Sequence, residues 1–562
     1  MVSRYLYGYD IYTAPLVVKE KAAEDTTFTA KTKPTQTNPP VSVSMGPHFD
    51  GLAPLRPAPN LANAGPSLAK RVGRELLPHD VELRKEFKAF VKQYIETHFT
   101  HKIAPTEQFS FDEWLNNTSY SQAKKDSLRR LRDQRHHLYH RIYQNDMKQI
   151  NSFDKDENYP AFKASRKIQG RKDASKIVQG PVYKAIEKLT YKYYAFIKAV
   201  PVAERPTHIM NGLGPFGPYY CSDYTAFESL YDEDLMEACE LQFYSHMLSE
   251  HPDHDLYMNI FRKTMLGTNV MKSRHADMTV QCRRMSGDMN TSLGNGITNL
   301  LILEFVAYKS GQSIKVFVEG DDGIMSATGP LDTDLFERLG IRVKIEKHDS
   351  IGTTSFCGIL FDPESLQHIV NPRSMLIAFA WSKKHQIRCR TSRHRALLRA
   401  KALSYIYQTP ACPCVTEFCR MILRNTTRDA RAALTVLKNE RNQHEKEWIA
   451  QILKHHPEIE QNTYRDDHEH ITTGTRLLVE EMFNISVDEQ LHFEAFMKTH
   501  NNLSALDSSM FTWMETPDNL LMFDRFTVPM PASLPLSELA DALHSLRTYN
   551  LEWKMYPTTP KL

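Results

Sequence analysis

Apolar residues recur at three- and four-residue steps through "VELRKEFKAFVKQYIETHF", from Val81. That period is the mark of an amphipathic helix. "SQAKKDSLRRLRDQRHHLYHRIY" repeats it with a heavily basic face. Between residues 219 and 360 the pattern changes to short strands alternating with helices. In "KVFVEGDDGIM", Val316 and Val318 alternate with Phe317 and Glu319, which predicts a strand with one packed face and one open face. Gly320 then permits a tight bend, and "GIMSA" returns as a second strand. After Pro372 the pattern is mostly helical again, through "TRDARAALTVLKNERNQHEKEWIAQIL" and beyond. We find no internal repeat.

The first 20 residues are aromatic and predict a strand or two. From Lys21 to about Lys70 the composition shifts, and eight of the thirty prolines fall between Pro34 and Pro66. Such a stretch buries little apolar surface and reads as a linker or an extended arm. At 562 residues the chain exceeds what one hydrophobic core takes, so several subdomains are expected. The formal net charge of +3 is too balanced to imply a polyanionic partner, so any basic surface must be local. Eight sparse cysteines and the absence of a secretory pattern predict a reduced, intracellular setting. The C-x-C-x4-C spacing of "ACPCVTEFC" is not a usual zinc pattern, so these read as structural thiols. No apolar run approaches the ~20 residues of a membrane span.

Chemistry concentrates in four places. Asp321 and Asp322 sit at the hairpin tip, where like charges repel. Asp223, in "YYCSDYTAFESLYD", lies where a second strand ends. If that strand is parallel or adjacent to the 315–319 strand, Asp223 and Asp321 converge and attract divalent cations such as Mg²⁺, which takes few protein carboxylates. A pair of such ions stabilises both attacking and leaving oxygens in phosphoryl transfer. In "RRMSGDMNTSLGNGITNLLILEFV", Ser286-Gly287-Asp288 forms a loop before a helix capped by Asp288 or Asn290. Thr291 and Asn295, four apart, share one helix face and suit a ribose. Finally, Lys163, Arg166, Lys167, Arg171, Lys172 and Lys176 crowd one tract against a single acid, Asp173. Arginine forks suit phosphates.

In this order, the pieces resemble the RNA-dependent RNA polymerases of positive-strand RNA viruses, the tombusvirus-like and noda-like groups foremost. The resemblance covers about 160–360. "RKIQGR" resembles the basic fingers motif, "DYTAFE" the first palm motif, "SGDMNTSLGN" the second and "GDD" the third; "LGIRVKIEK" and "SFCGILF" resemble the fourth and fifth. It implies an α+β right hand of fingers, palm and thumb with an antiparallel palm sheet. By position, residues 1–80 would be an arm, 81–218 fingers (with part of 240–280), 219–371 palm and 372–562 thumb. Asp223 and Asp321 would bind two Mg²⁺ ions, or Mn²⁺ in their place, with Asp322 assisting. Arg166 and Arg171 would cradle the triphosphate, and Lys163, Lys167 and Gly287 would touch RNA. Ser286, Thr291 and Asn295 would sense the ribose 2′-hydroxyl. Lys344, with Lys347 close behind, would give a proton to pyrophosphate. One position departs from the family: Glu228 stands where an Asp is usual, and its longer chain must still reach Asn295 and the ribose. Residues 119–125 are expected to form a loop where template enters.

The implied partners are RNA template and nascent RNA, ribonucleoside triphosphates, and other viral replication proteins at a host membrane. The implied location is the host cytoplasm, in a replication complex that recruits this chain to the membrane. Two competitors remain at this level. One is a reverse transcriptase or DNA polymerase, against which the Thr291/Asn295 pair argues. The other is an RNA-binding scaffold with a decayed palm, against which the intact acids argue.

Overall fold

Four short strands rich in Tyr, Val and Ile form the sheet that carries the acids. Their order is Val343–His348, Tyr219–Tyr224, Asp322–Ala327, Ile314–Glu319, and every neighbouring pair is antiparallel. This computed structural model describes residues 26–31, 41–50, 52, 67–68, 70–135, 147–155, 166–215, 217–224, 226–383, 391–429, 432–433, 435, 471–514 and 528–531. The strands expected in the first 20 residues, Lys163, and most of the helix expected from Thr427 to Leu453 lie outside these.

Both faces of the acid-bearing sheet are covered. On one face Tyr220, Tyr224, Val316, Val318 and Met325 join the largest core cluster, with the helix Thr291–Lys309. On the other, Tyr219, Cys221, Phe317 and Ile324 pack with Ile209, Leu213 and Phe356. The expectation of an open face on the Lys315–Glu319 strand is therefore corrected: Val316, Phe317 and Val318 are all buried. Alternation fails as a guide where a sheet is buried on both sides.

A second, five-stranded sheet gathers distant segments. Its order is Thr27–Ala30, Ala276–Gln281, Thr268–Lys272, Gln149–Asp154, Lys167–Arg171, with one parallel pairing, between Gln149–Asp154 and Thr268–Lys272. The proline-rich arm thus contributes an edge strand. The helix Val81–His98 starts where Asp80 accepts from the amides of Glu82 and Leu83, both at 3.1 Å, a side-chain cap on its first turn. It buries Leu83, Phe87, Val91 and Ile95 against the acid-sheet core.

Toward the C-terminus, the helices Pro372–Phe379, Thr391–Gln408, Val415–Asn425, Thr473–Phe483 and Val487–Thr499 enclose a separate apolar cluster. Cys412, Cys414 and Cys419 are buried within it and form no disulfide. Among the described residues, no helix is long and apolar enough to cross a membrane.

Of the loop expected at 119–125, residues 119–121 carry no regular secondary structure, and 122–125 are already the first turn of the helix Gln122–Arg135. Ser121 Oγ accepts from the Lys124 amide at 3.4 Å, a capping contact. The basic side chains there are partly committed: Lys124 pairs with Asp173, and Lys125 donates to the Asn116 carbonyl at 2.8 Å.

Candidate active site

The strand register brings the acids to one end of one sheet. Ser222 pairs with Gly323, so the next step sets Asp223 against Asp322. Across the hairpin Asp322 pairs with Glu319, and on the far side Asp223 pairs with Lys344. Directly opposed residues of antiparallel strands share a face. Lys344, Asp223, Asp322 and Glu319 therefore form a row, with Asp321 at the turn beside it. Gly320 takes a φ of +64°, a left-handed value that glycine adopts without strain.

One buried side chain ties this together. Asn299, on the helix behind the sheet, donates from Nδ2 to the carbonyls of Gly320, Asp321 and Asp322 at 3.3, 3.2 and 3.1 Å. Its Oδ1 accepts from the Tyr224 hydroxyl at 3.0 Å. Tyr224 follows Asp223, so Asn299 joins the end of one acid-bearing strand to the turn holding the other acids. The sequence reading missed it, although Thr291, Asn295 and Asn299 continue one four-residue series along the helix.

The electrostatics agree with the register. Burial pushes the Asp322 carboxyl up to about 6, helped by the Asp321 charge, opposed by the Cys357 thiol, and helped further by Glu319 and Asp223. Asp322 keeps an exposed edge, so the crowding of like charges is the more telling cause. The Tyr224 phenol is pushed up by burial first and the Asp321 charge second. Of the nearby cations, Arg205 pairs with Glu319 at the end of the row, at 2.7 Å, and Lys344 pairs with Glu346.

Among the described residues, no three His, Cys, Asp or Glu side chains gather tightly enough to hold a metal ion by themselves. The row is open rather than a closed cage. An open pair of carboxylates with unrelieved repulsion fits a divalent cation that fills its other positions with water and phosphate. Asp322→Asn removes a penalised charge, so it should raise the Tm of cation-free protein and shrink the further rise on adding Mg²⁺. Thermal unfolding with EDTA and with Mg²⁺ reads both; a lowered cation-free Tm contradicts the crowding.

Lys344 lies on the face of Asp223, whereas Lys347 pairs with Tyr220, an odd number of residues along, and points to the other face. The Lys344 ammonium is held above its usual range by its bond to Glu346, with Asp223 adding to this.

Several expected contacts are corrected. Arg171 is buried and fully used: its fork engages Asp288 at 2.7 and 2.8 Å, Asn269 at 3.0 Å and the Met147 carbonyl. It anchors the loop before the helix and is not presented to a triphosphate. Breaking such a buried pair costs about 3–5 kcal/mol. Arg171→Ala should therefore lower the denaturant midpoint strongly, whereas a phosphate-binding arginine would change KM with the midpoint kept. Lys167 is likewise buried, paired with Asp154 at 2.8 Å, so it is not offered to RNA. Arg166 is partly exposed, and its carbonyl accepts from the Lys155 amide at 2.7 Å.

Ser286 donates to Gln169 Oε1 at 2.5 Å, and the Gly287 amide donates to the Gln169 carbonyl at 3.0 Å. A Cβ on Gly287 would meet that carbonyl oxygen at 2.7 Å, so glycine is demanded by packing rather than by RNA. Thr291 Oγ1 donates to the carbonyls of Met285 and Asp288, at 3.1 and 2.9 Å. In this arrangement the hydroxyl protons of Ser286 and Thr291 are spent within the chain, not held out to a sugar. Asn290 stands at the cap position without a side-chain cap; it donates instead to Glu240 at 3.0 Å. Asn295 is buried, and its Oδ1 accepts a long bond from the Tyr231 hydroxyl, 3.4 Å. Glu228 does not reach Asn295. It is buried and pairs with Arg71.

Against the five-stranded sheet, a cleft of about 440 Å³ is lined by Asn151, Phe153, Lys172, Lys124 and Lys176 among others, the last two paired with Asp173 in the same wall, with Phe153 55% exposed. Cations beside an exposed ring suit a single-stranded nucleic acid.

Comparison with known proteins gives one family: a family model described as viral RNA dependent RNA polymerase matches residues 223–504, half of the chain. No curated protein matches.

Proposed function

Because the chain belongs to the viral RNA-dependent RNA polymerase family and is an RNA-directed RNA polymerase, we propose that it copies a viral RNA genome by a two-metal reaction at its acid row. The family uses divalent cations, and its partners are RNA and nucleoside triphosphates. In this reading Asp223 and Asp321 hold two Mg²⁺ ions, or Mn²⁺, and Asp322 assists. When bound, such a pair activates the attacking 3′-hydroxyl and stabilises charge on the leaving pyrophosphate.

The chain's own residues do the rest. Asn299 fixes the spacing of the acids, which sets the alignment of the reacting oxygens. Arg205 neutralises Glu319, so it does not compete for the cations. Lys344, on the face of Asp223, gives its proton to the leaving pyrophosphate. Asn295 and Glu228 line the place of the ribose. The cleft at Phe153 and Lys172 guides unpaired template.

The two sheets and the C-terminal helices correspond to palm, fingers and thumb of a right hand, of the tombusvirus-like or noda-like kind. Site of action is the cytoplasmic face of a host membrane, where other viral replication proteins bring the chain. The observation that carries the reading is the Asn299 clamp, which joins the Asp223 strand to the Gly320–Asp322 turn.

Purified protein should extend a primed RNA template with ribonucleotides when Mg²⁺ or Mn²⁺ is present, and stop with EDTA. Deoxynucleotide incorporation of equal efficiency would instead indicate a DNA-making enzyme. RNA binding without cation-dependent synthesis, with or without primer, would indicate a scaffold.

A further inference from the structure

Arg71 lies far outside the family-matched residues, yet it ends on Glu228, 157 positions away. Its neighbours explain the placement. Leu68 and Val72, one helical turn apart, are both fully buried in the cluster beneath the five-stranded sheet, with Ile150, Met271, Met278 and Met285. The Val72 amide donates to the Leu68 carbonyl at 3.1 Å, closing that turn. Two apolar plugs thus fix the backbone, and Arg71 points from between them toward the acid sheet.

Glu228 meets it from the other side. Ala226 takes a φ of 58°, a left-handed value unusual for a residue with a side chain. This swings the chain out of the Asp223 strand into the turn Phe227–Leu230, which carries Glu228. The Glu228 side chain is only 7% exposed and that of Arg71 18%. A buried carboxylate is retained where a cation faces it. The bond uses Oε1, and a carboxylate has a second accepting oxygen.

We infer that Arg71 is a positioning residue for sugar recognition: it holds Glu228 as an oriented acceptor for the ribose 2′-hydroxyl. The inference rests on the reading of Glu228 as lining the ribose. The extra methylene of Glu over Asp then has a use, since the carboxylate must span from its turn to a cation on the helical turn packed against the other sheet. Selection of ribonucleotides is thereby coupled to the N-terminal segment and to the packing of the five-stranded sheet.

The test is single-nucleotide incorporation by the full chain on a primed RNA template, with a ribonucleotide and its 2′-deoxy analogue. The readout is the ratio of the two kcat/KM values, in which the active fraction of a preparation cancels. Arg71→Gln is expected to lower ribonucleotide kcat/KM about tenfold, through KM, and to leave the deoxy substrate within about twofold. Arg71→Lys, which keeps the charge, is expected to restore the ratio to within about threefold of wild type. Glu228→Gln is expected to lose discrimination as Arg71→Gln does.

Equal losses for both substrates in Arg71→Gln make the pair a structural clamp and overturn the inference. So does a lysine variant no better than the glutamine one. If Glu228→Gln loses discrimination and Arg71→Gln keeps it, the sugar site stands and the role of Arg71 falls. If Glu228→Gln keeps discrimination, the sugar reading itself falls. Should Arg71→Gln not fold, Arg71→Met preserves the aliphatic reach and is scored by the same ratio.

Discussion

Replacing Asp321 by alanine is expected to lower primer extension at least about 10³-fold, a loss of about 4 kcal/mol of transition-state stabilisation. The fold should survive, because the turn is held by backbone rather than by this side chain. Asn299 grips the Asp321 carbonyl at 3.2 Å, and Gly320 supplies the left-handed bend. Removing one of several repelling carboxylates also relieves strain. Tm should hold or rise slightly while activity disappears. Extension near the wild-type rate would place the chemistry elsewhere.

Asn299→Leu is the second large effect, and its signature differs. Leucine fills a similar volume but strips three carbonyls of a donor and leaves the buried Tyr224 hydroxyl without its acceptor. Each buried polar group left unpaired costs about 1–3 kcal/mol, so a stability loss of about 2–4 kcal/mol is expected once the turn relaxes toward water. Extension should fall about 10²-fold, the usual consequence of moving reacting groups by about 1 Å. Tyr224→Phe removes only one of these bonds and should cost about 1 kcal/mol, with a smaller loss of activity. Denaturant midpoints and extension rates on the same preparations separate the two. An Asn299→Leu protein with full activity would mean that the turn keeps its place without the clamp.

The acids were legible because their signals are local. Asp223 ends an apolar run, and Asp321 and Asp322 follow a strand and a glycine. The expected neighbour was the 315–319 strand; the Asp223 strand pairs instead with the returning strand Asp322–Ala327, through Ser222 and Gly323, and this still sets the acids at one end of the sheet. The helix from Val81 was equally plain, since its regular apolar step is written within one segment.

The basic tract shows what local reading misses. Lys167 and Arg171 look like phosphate ligands because their charge is visible and their partners are not. Asp154 is 13 residues from Lys167, and Asp288 is 117 from Arg171. Only the fold reveals that those charges are already answered. The same distance hid Arg71, whose partner comes 157 residues later. Strand alternation failed at Phe317 for another reason: a helix on one side and the Ile209 and Phe356 cluster on the other bury both faces. Asn299 was within reach of sequence reasoning as the third polar residue in the series from Thr291, but its strongly apolar neighbours drew attention away.

The central claim is that the carboxylates at 223 and 321 share divalent cations at one end of one sheet. Iron-directed backbone cleavage reads this directly: Fe²⁺ replaces Mg²⁺ in the protein, peroxide and ascorbate generate radicals at the bound ion, and the cut sites are mapped. Scission is expected at both the Asp223 strand and the Gly320–Asp322 turn, competed by Mg²⁺ and lost at both places in Asp223→Asn and in Asp321→Asn alike. Cleavage at one segment alone, or loss at each segment only when its own acid is changed, would contradict a shared site.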